Sequence, residues 1–307
     1  MDWFELIPSF LSAIAAIAAA IAAFQAVKIG KRSAEIAKET ALATNHSSAV
    51  LEYIKALKEL QNTNDFVNAA SDLKTYWPKT IDQYDTVDKS GNQYITRVRH
   101  IMNDACETLV EYSIERGKKH LIGQCIFSIV INGMGELSEE ENERVKKEES
   151  SDIQSGEYGH WKPSPSSDLR YSPIFRNYCY RLITRIKQEN WERTWNAAWE
   201  EDGWITHYQT EYMKIKPIFQ KAYNTLQNEK NKLDHGIFPI NKNPDLAQKY
   251  EKLLFALEVF IKDCSLDSLE TYKKWYFKDE RVQLILIAMA TAELALKQVD
   301  QLFILNE

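Results

Sequence analysis

The chain has 307 residues and a net charge of −6, with a pI near 5.7, which disfavours a nucleic-acid footprint spread over the whole surface. Hydrophobic residues make up 44% of it and only 10 glycines and 8 prolines interrupt it, so long helices are favoured over many short strands. The four cysteines are widely separated and form no C-x-x-C pair, which argues against a disulfide scaffold and favours a reducing compartment.

The first thirty residues contain the longest apolar stretch. Between Ser12 and Gln25 no side chain is polar, and cations follow at positions 28, 31 and 32. An apolar helix of about 20 residues can cross the hydrocarbon core of a bilayer. Because the cations come only after the apolar run, a cleaved signal peptide is disfavoured and the N-terminus is expected outside, with the body in the cytosol. We predict a transmembrane helix over residues 1–30 in the inner (cytoplasmic) membrane, with a soluble core helix as the alternative.

Large side chains in this segment recur at alternating intervals of three and four residues. They are Ile7, Phe10, Ile14, Ile17, Ile21 and Phe24. Alanine fills most of the positions around them, and small residues let helices approach closely in lipid. This spacing is typical of a heptad seam and predicts self-association into a homo-oligomer within the lipid bilayer. The alternative is a single anchor whose spacing is accidental.

A stalk and a helical subdomain are predicted next. Residues 31–46 carry only a thin apolar stripe, which indicates an exposed helical stalk. Ser47 or Ser48 is a candidate N-cap for a new helix, the first of a subdomain over 47–135. The predicted core face of that helix consists of Val50, Leu51, Ile54, Leu57 and Leu60.

The other helices of this subdomain are predicted from periodicity and from chain breakers. One covers 65–77 and ends at Pro78, because proline disrupts a helix interior. Another covers 94–116 with a clean apolar face. The apolar run 120–134 is too short to span a bilayer and indicates a buried helix.

Residues 136–168 break the helical pattern. A charge run is followed by a stretch rich in glycine, proline and serine, which predicts a linker or long surface loop. A C-terminal helical subdomain, 169–307, follows, with helices over 173–187, 206–229, 245–264, 266–277 and 280–304. The last helix is interrupted by Gln283 and Glu293, which favours a core helix over a second span. The predicted fold is therefore all-α: a single N-terminal transmembrane helix followed by a helical cytosolic bundle.

Standard catalytic signatures are absent from the sequence. It contains no phosphate-binding glycine loop, no nucleophile elbow and no zinc-protease motif. The six histidines are scattered without metal-ligand spacing, so we predict no metal site and no cofactor.

One polar stretch nevertheless resembles a catalytic motif. Residues 230–236 read KNKLDHG, which is similar to the R-N-x-x-x-H signature of HEPN domains, helical proteins that are often ribonucleases of bacterial conflict systems. Asn231 and His235 match the signature, whereas Lys230 replaces its arginine and cannot grip phosphate with a bidentate fork. The resemblance implies metal-independent RNA cleavage, with His235 moving the proton of an attacking 2′-hydroxyl. The alternative is a polar helix end that carries a histidine by chance.

A second candidate site is aromatic. Trp191, Trp195 and Trp199 are four residues apart and therefore share one helix face. Tryptophan dominates interface hot spots, so this face is a candidate surface for a protein partner. The alternative is a core stripe, which helical spacing of large apolar side chains favours.

The segment PIFRNYCYRLITRIK, residues 173–187, resembles a Y-F-R-N-L-Y-R-type element of AbiC-like phage abortive-infection membrane proteins. Phe175, Arg176 and Asn177 match it and Arg181 follows a tyrosine, although Tyr178 replaces the usual leucine and the spacing is one residue longer. Those proteins also have an N-terminal membrane segment before a polar helical body. The resemblance implies a membrane-anchored effector or sensor of antiphage defence. A membrane-tethered ribonuclease of the HEPN type and a non-catalytic scaffold are the alternatives.

Overall fold

The computed structural model describes residues 3–82, 98–116, 122–133, 186–273 and 278–304, together with residues 140, 143 and 182. For residues 3–24 it describes the backbone alone. Regular structure in this part of the chain is entirely helical, so the predicted all-α class is confirmed. The elements are α1 Trp3–Glu59, α2 Asn64–Asp82, α3 Val98–Arg116, α4 Ile122–Gly133, α5 Gln188–Ala197, α6 Trp204–Asp234, a 3₁₀ turn Ile240–Lys242, α7 Pro244–Asp263, α8 Asp267–Glu270 and α9 Lys278–Ile304.

Helix α9 is the centre of the bundle. Every side chain from Arg281 to Ala295 is buried, because α2, α3, α4, α5 and α7 all pack against this helix. Its span Arg281–Leu302 has a mean hydropathy of 1.5 and is, among the residues whose side chains are described, the single helix long and apolar enough to cross a membrane. With 83% of that window buried inside the protein, it has the environment of a core helix, as its sequence predicts.

The two ends of α7 are stabilised by side chains. At its start, close to the predicted residue 245, Asn243 accepts a hydrogen bond from the Leu246 amide at 3.2 Å and Pro244 occupies the first helical position. At its end, carbonyls lack intrahelical partners. Tyr208 and Tyr212 of α6 supply the missing donors, to the carbonyls of residue 264 at 2.7 Å and of residues 260 and 261 at 3.0 Å. The paired tyrosines therefore connect α6 to the last turn of α7.

The predicted end of α2 at Pro78 is wrong. The helix continues to Asp82, with Trp77, Pro78 and Ile81 all buried. A proline inside a helix costs roughly 3 kcal/mol. Burying two large apolar side chains contributes roughly 1.5–3 kcal/mol each, enough to offset that cost.

Helix α1 also differs from expectation. It runs unbroken for 57 residues, so Ser47 and Ser48 lie inside it and cap nothing. The predicted core face is largely wrong, because Val50, Leu51 and Ile54 are 39%, 56% and 43% exposed. The residues that pack against the body are His46, Ala49, Tyr53, Ala56, Leu57 and Leu60. Val50, Leu51 and Ile54 therefore lie beside the face that packs against the bundle and remain partly exposed.

Candidate functional sites

Helix α1 joins the body at a junction formed with α6 and the segment after it. His46, 2% exposed, lies with Nε2 3.0 Å from the Phe238 carbonyl oxygen, so Nε2 carries the proton and donates it. Tyr250 of α7 donates to the Ala49 carbonyl at 2.7 Å. Residues 25–40 of α1 are exposed on every side, so the described contacts with the body begin only beyond them.

A buried carboxylate strengthens this junction. Burial raises the pKa of Glu229 on α6, but hydrogen bonds with Ser48 and Lys232 outweigh that effect, and the net shift is downward. The carboxylate is therefore held ionised between α1 and α6. Sequence reasoning missed this junction, and the signal that could have located its α1 side is the spacing of His46, Ala49 and Tyr53 on one helix face.

The HEPN-like residues lie at the C-terminal end of α6. His235 is the C-cap and is exposed, and its Nδ1 lies 2.7 Å from the Asn231 carbonyl oxygen. A carbonyl can only accept, so Nδ1 carries the proton and Nε2 of a neutral imidazole is the acceptor. A base with this tautomer can take a proton from a hydroxyl, which is the role that the resemblance gives to His235.

The other two motif residues are less well placed for that chemistry. The Lys230 ammonium lies 3.9 Å from the Asp234 carboxylate, which competes with phosphate for it. The Asn231 side-chain oxygen accepts from Gln227 at 3.1 Å. The structure thus keeps Lys230, Asn231 and His235 on one helix end, where the histidine alone has the arrangement that catalysis would require.

The predicted partner surface on α5 and the turn after it is corrected by the structure. Trp191 and Trp195 are 0% exposed and Trp199 is 8% exposed. Trp195 stacks on Trp77 at 6.1 Å and contacts Trp199 edge-to-face at 5.5 Å. These three tryptophans form part of the protein's own core because their shared face meets α2 and α9, and they present no surface to a partner.

The described surface includes two grooves that bear on the candidate sites. One, of about 520 Å³, lies between α1 and the start of α7 and is lined by Val50, Tyr53 and Ile54 among others. The other, of about 640 Å³, lies where α4, α6, α7 and α9 meet, and includes Lys216 and Lys262. Neither is lined by the HEPN-like residues, so the motif stands apart from both.

Two buried thiols are poor nucleophiles. Burial raises the pKa values of Cys106 and Cys264, so both remain protonated at neutral pH. Among the described residues, no group of three or more histidine, cysteine, aspartate or glutamate side chains could hold a metal ion.

Several predicted features lie outside the described residues. For the proposed membrane seam, the side chains of Ile7, Phe10, Ile14, Ile17, Ile21 and Phe24 are not described, although all of them are in α1. Apart from residues 140 and 143, the linker 136–168 is also outside, as is the AbiC-like element apart from residues 182, 186 and 187.

Comparison of the chain with models of protein families, with curated proteins and with solved structures finds no match. The two family resemblances therefore rest on the residues quoted above.

Proposed function

We propose that this chain is a single-pass, membrane-anchored effector or sensor of a bacterial inner membrane that acts in antiphage defence. Its N-terminal helices self-associate and disturb the bilayer, and its cytosolic body senses infection or binds a protein partner. The observation that carries this proposal is the unbroken helix α1, whose first part is apolar and whose residues 25–40 stand clear of the body.

The dimensions of α1 suit an anchor. At 1.5 Å per residue, residues 3–24 extend for about 33 Å, close to the ~30 Å hydrocarbon core of a bilayer. Lys28, Lys31 and Arg32 follow in the exposed part of the helix, where anionic lipid headgroups attract them. A bilayer around residues 3–24 would place these cations at its cytoplasmic surface.

The continuity of α1 provides a route from body to membrane. The same helix that would cross the bilayer contacts the segment after α6 through His46, α6 through Ser48, and α7 through Ala49. A change in the body that moves this junction would rotate or shift the whole of α1, because an α-helix transmits motion as a rigid element. In this proposal the association of the membrane segments follows from that movement.

Two sets of substitutions at Ile14, Ile17 and Ile21 separate anchoring from assembly. Changing all three to lysine would prevent insertion, because charge at the centre of a bilayer is costly, and would abolish both toxicity and oligomers. Changing all three to alanine preserves an apolar helix and so preserves insertion, but removes the large side chains of the seam. We expect the alanine variant to fractionate with membranes and to lose assembly on sizing in mild detergent. Full activity of a variant lacking residues 1–30 would disprove the membrane mechanism.

A membrane-tethered ribonuclease of the HEPN type is the second candidate, favoured by the bond between His235 Nδ1 and the Asn231 carbonyl. It predicts RNA cleavage that is lost in His235→Ala. The matched control is His207→Ala, which changes another exposed histidine on the same helix and should leave cleavage intact. Absence of cleavage by the unchanged protein under every inducing condition would eliminate this candidate.

A further inference from the structure

Exposed apolar side chains are concentrated on the free face of α1. Ile29 and Ile36 are 66% and 57% exposed, and Val50, Leu51 and Ile54 further along the same side of the helix are also exposed. Val27 lies on the other side of α1, and elsewhere in the described chain the exposed large hydrophobic residues are Tyr76, Met213, Ile218 and Ile237, on α2, α6 and a loop. Single exposed apolar residues need no explanation, but a row of them on one helix indicates an interface.

The row repeats every seven residues. Ile29, Ile36, Ala43 and Val50 form one line, and a second line three residues earlier consists of Ala26, Ser33, Thr40 and Ser47. A seven-residue repeat, unlike a 3.6-residue one, is typical of two helices wound around each other. The small residues of the second line would let the helix axes approach closely.

The polar groups of this face are compatible with a dry contact. The Thr40 and Ser47 hydroxyls donate to carbonyls of their own helix, those of Ile36 at 2.8 Å and Thr44 at 2.7 Å. Because these hydroxyl donors already have partners within the helix, burial in a contact would not leave them without one. No position of either line is charged, and the acid and base at positions 35 and 38 lie on other faces of the helix.

We propose that a second copy of this chain pairs with this face of α1, from Ala26 to Val50, as a parallel, in-register coiled coil. The inference rests on the proposed function, because anchors in one membrane hold two copies parallel and at the same height, so that identical residues meet. Anchoring also raises the effective concentration of one rod near another. His46, Ala49 and Tyr53 contact the body on a neighbouring face, and Val50 also lines the groove beside α7, whereas residues 25–40 are exposed on every side and leave the seam accessible there.

The fit to a second copy also follows from the sequence of the seam. Pairing in register places Ile29 beside Ile29 and Ile36 beside Ile36 of the other copy, and no like charges meet within the seam. Residues 25–40 are exposed to solvent on every side of the helix, and an isolated helix of that length is marginally stable in water. Pairing would stabilise it by burying its apolar line.

Cysteine cross-linking of the full-length protein in its native membrane tests the proposal. Ser33→Cys and Thr40→Cys are seam variants, and Glu35→Cys and Lys38→Cys are controls on other faces of the same exposed helix. A disulfide requires Cα atoms within about 7 Å, so we expect on the order of tenfold more cross-linked dimer from the seam variants than from the controls under mild oxidation. The unchanged protein, with its native cysteines, gives the background.

The outcomes separate this inference from the proposed function. Equal cross-linking on all faces, or none at the seam while the protein remains in the membrane fraction, would overturn the pairing and leave the anchor intact. A protein found in the aqueous fraction would disprove the anchor, and seam-specific cross-links would then support pairing on its own. As a second measurement, Ile36→Glu in the Ser33→Cys background should abolish the cross-link, whereas Lys31→Glu should not. Both changes are at exposed positions, so loss of folding is not expected to explain the result.

Discussion

Removal of one oxygen atom at Tyr208 should measurably destabilise the body. The side chain is 0% exposed, and its hydroxyl donates to the Cys264 carbonyl at 2.7 Å, beyond the last turn of α7. Tyr208→Phe keeps the ring against Phe66, 5.2 Å away between centroids, but leaves that carbonyl without the donor. A buried acceptor deprived of its donor costs about 1–3 kcal/mol of unfolding free energy. For a chain of this size that corresponds to a fall in Tm of about 1.5–5 °C.

The assay is thermal unfolding of the full-length protein in mild detergent, followed by the fluorescence of its buried tryptophans. The matched control is Tyr76→Phe, at a tyrosine that is 44% exposed, where the change should stay within about 0.5 kcal/mol. If both variants unfold at the same temperature, the tyrosine–carbonyl bonds do not stabilise the contact between α6 and α7.

Further predictions concern pH, glycine positions and the junction of α1. Burial raises the pKa of Tyr208 and of Tyr212 above the unfolded value of 10. The stabilisation that the neutral phenols provide is therefore complete below pH 10 and lost at higher pH, so Tm measured as a function of pH should fall above pH 10. Gly123→Ala should lower the unfolding free energy by roughly 1–3 kcal/mol, and so lower Tm, because a Cβ there would lie 2.9 Å from a backbone oxygen of α7. Gly30→Ala has nothing within 4 Å of the added Cβ, so the helicity measured by circular dichroism should stay the same or rise. His46→Ala should loosen α1 from the body and speed proteolysis in the segment 60–63, whereas His207→Ala should not; equal cleavage of the two variants would contradict the assigned junction.

Local chemistry made many helix positions predictable. Asn243 and Pro244 start a helix by capping and by a preset backbone angle, and both effects act within one turn. The predicted apolar face of α3 is also buried, because this helix packs one apolar stripe against the bundle. Such features depend only on residues close together in the sequence.

Errors arose where tertiary packing outweighed a local signal. Pro78 does not end α2 because Trp77 before it and Ile81 after it are buried. Val50, Leu51 and Ile54 looked like part of a core face, yet the body packs mainly against a neighbouring side of α1. Sequence alone does not distinguish a face that packs on its own chain from one that is free for another copy.

Similar reasoning applies to the candidate sites. The tautomer of His235 depends on a contact four residues away and follows from helix geometry. The bond between His46 and the Phe238 carbonyl joins residues 192 positions apart, so no local pattern indicates it. The sequence shows that the three tryptophans share one helix face, but their burial depends on the packing of α2 and α9 against that face.

Membrane extraction of the intact protein tests the central claim most directly. Membranes from cells that produce the full-length chain are washed with alkaline carbonate, which removes peripheral proteins and leaves spanning ones. A helix with residues 3–24 in the bilayer should keep the whole protein in the pellet. Release of the intact protein into the aqueous fraction as a monomer would contradict both the anchor and the effector function proposed from it.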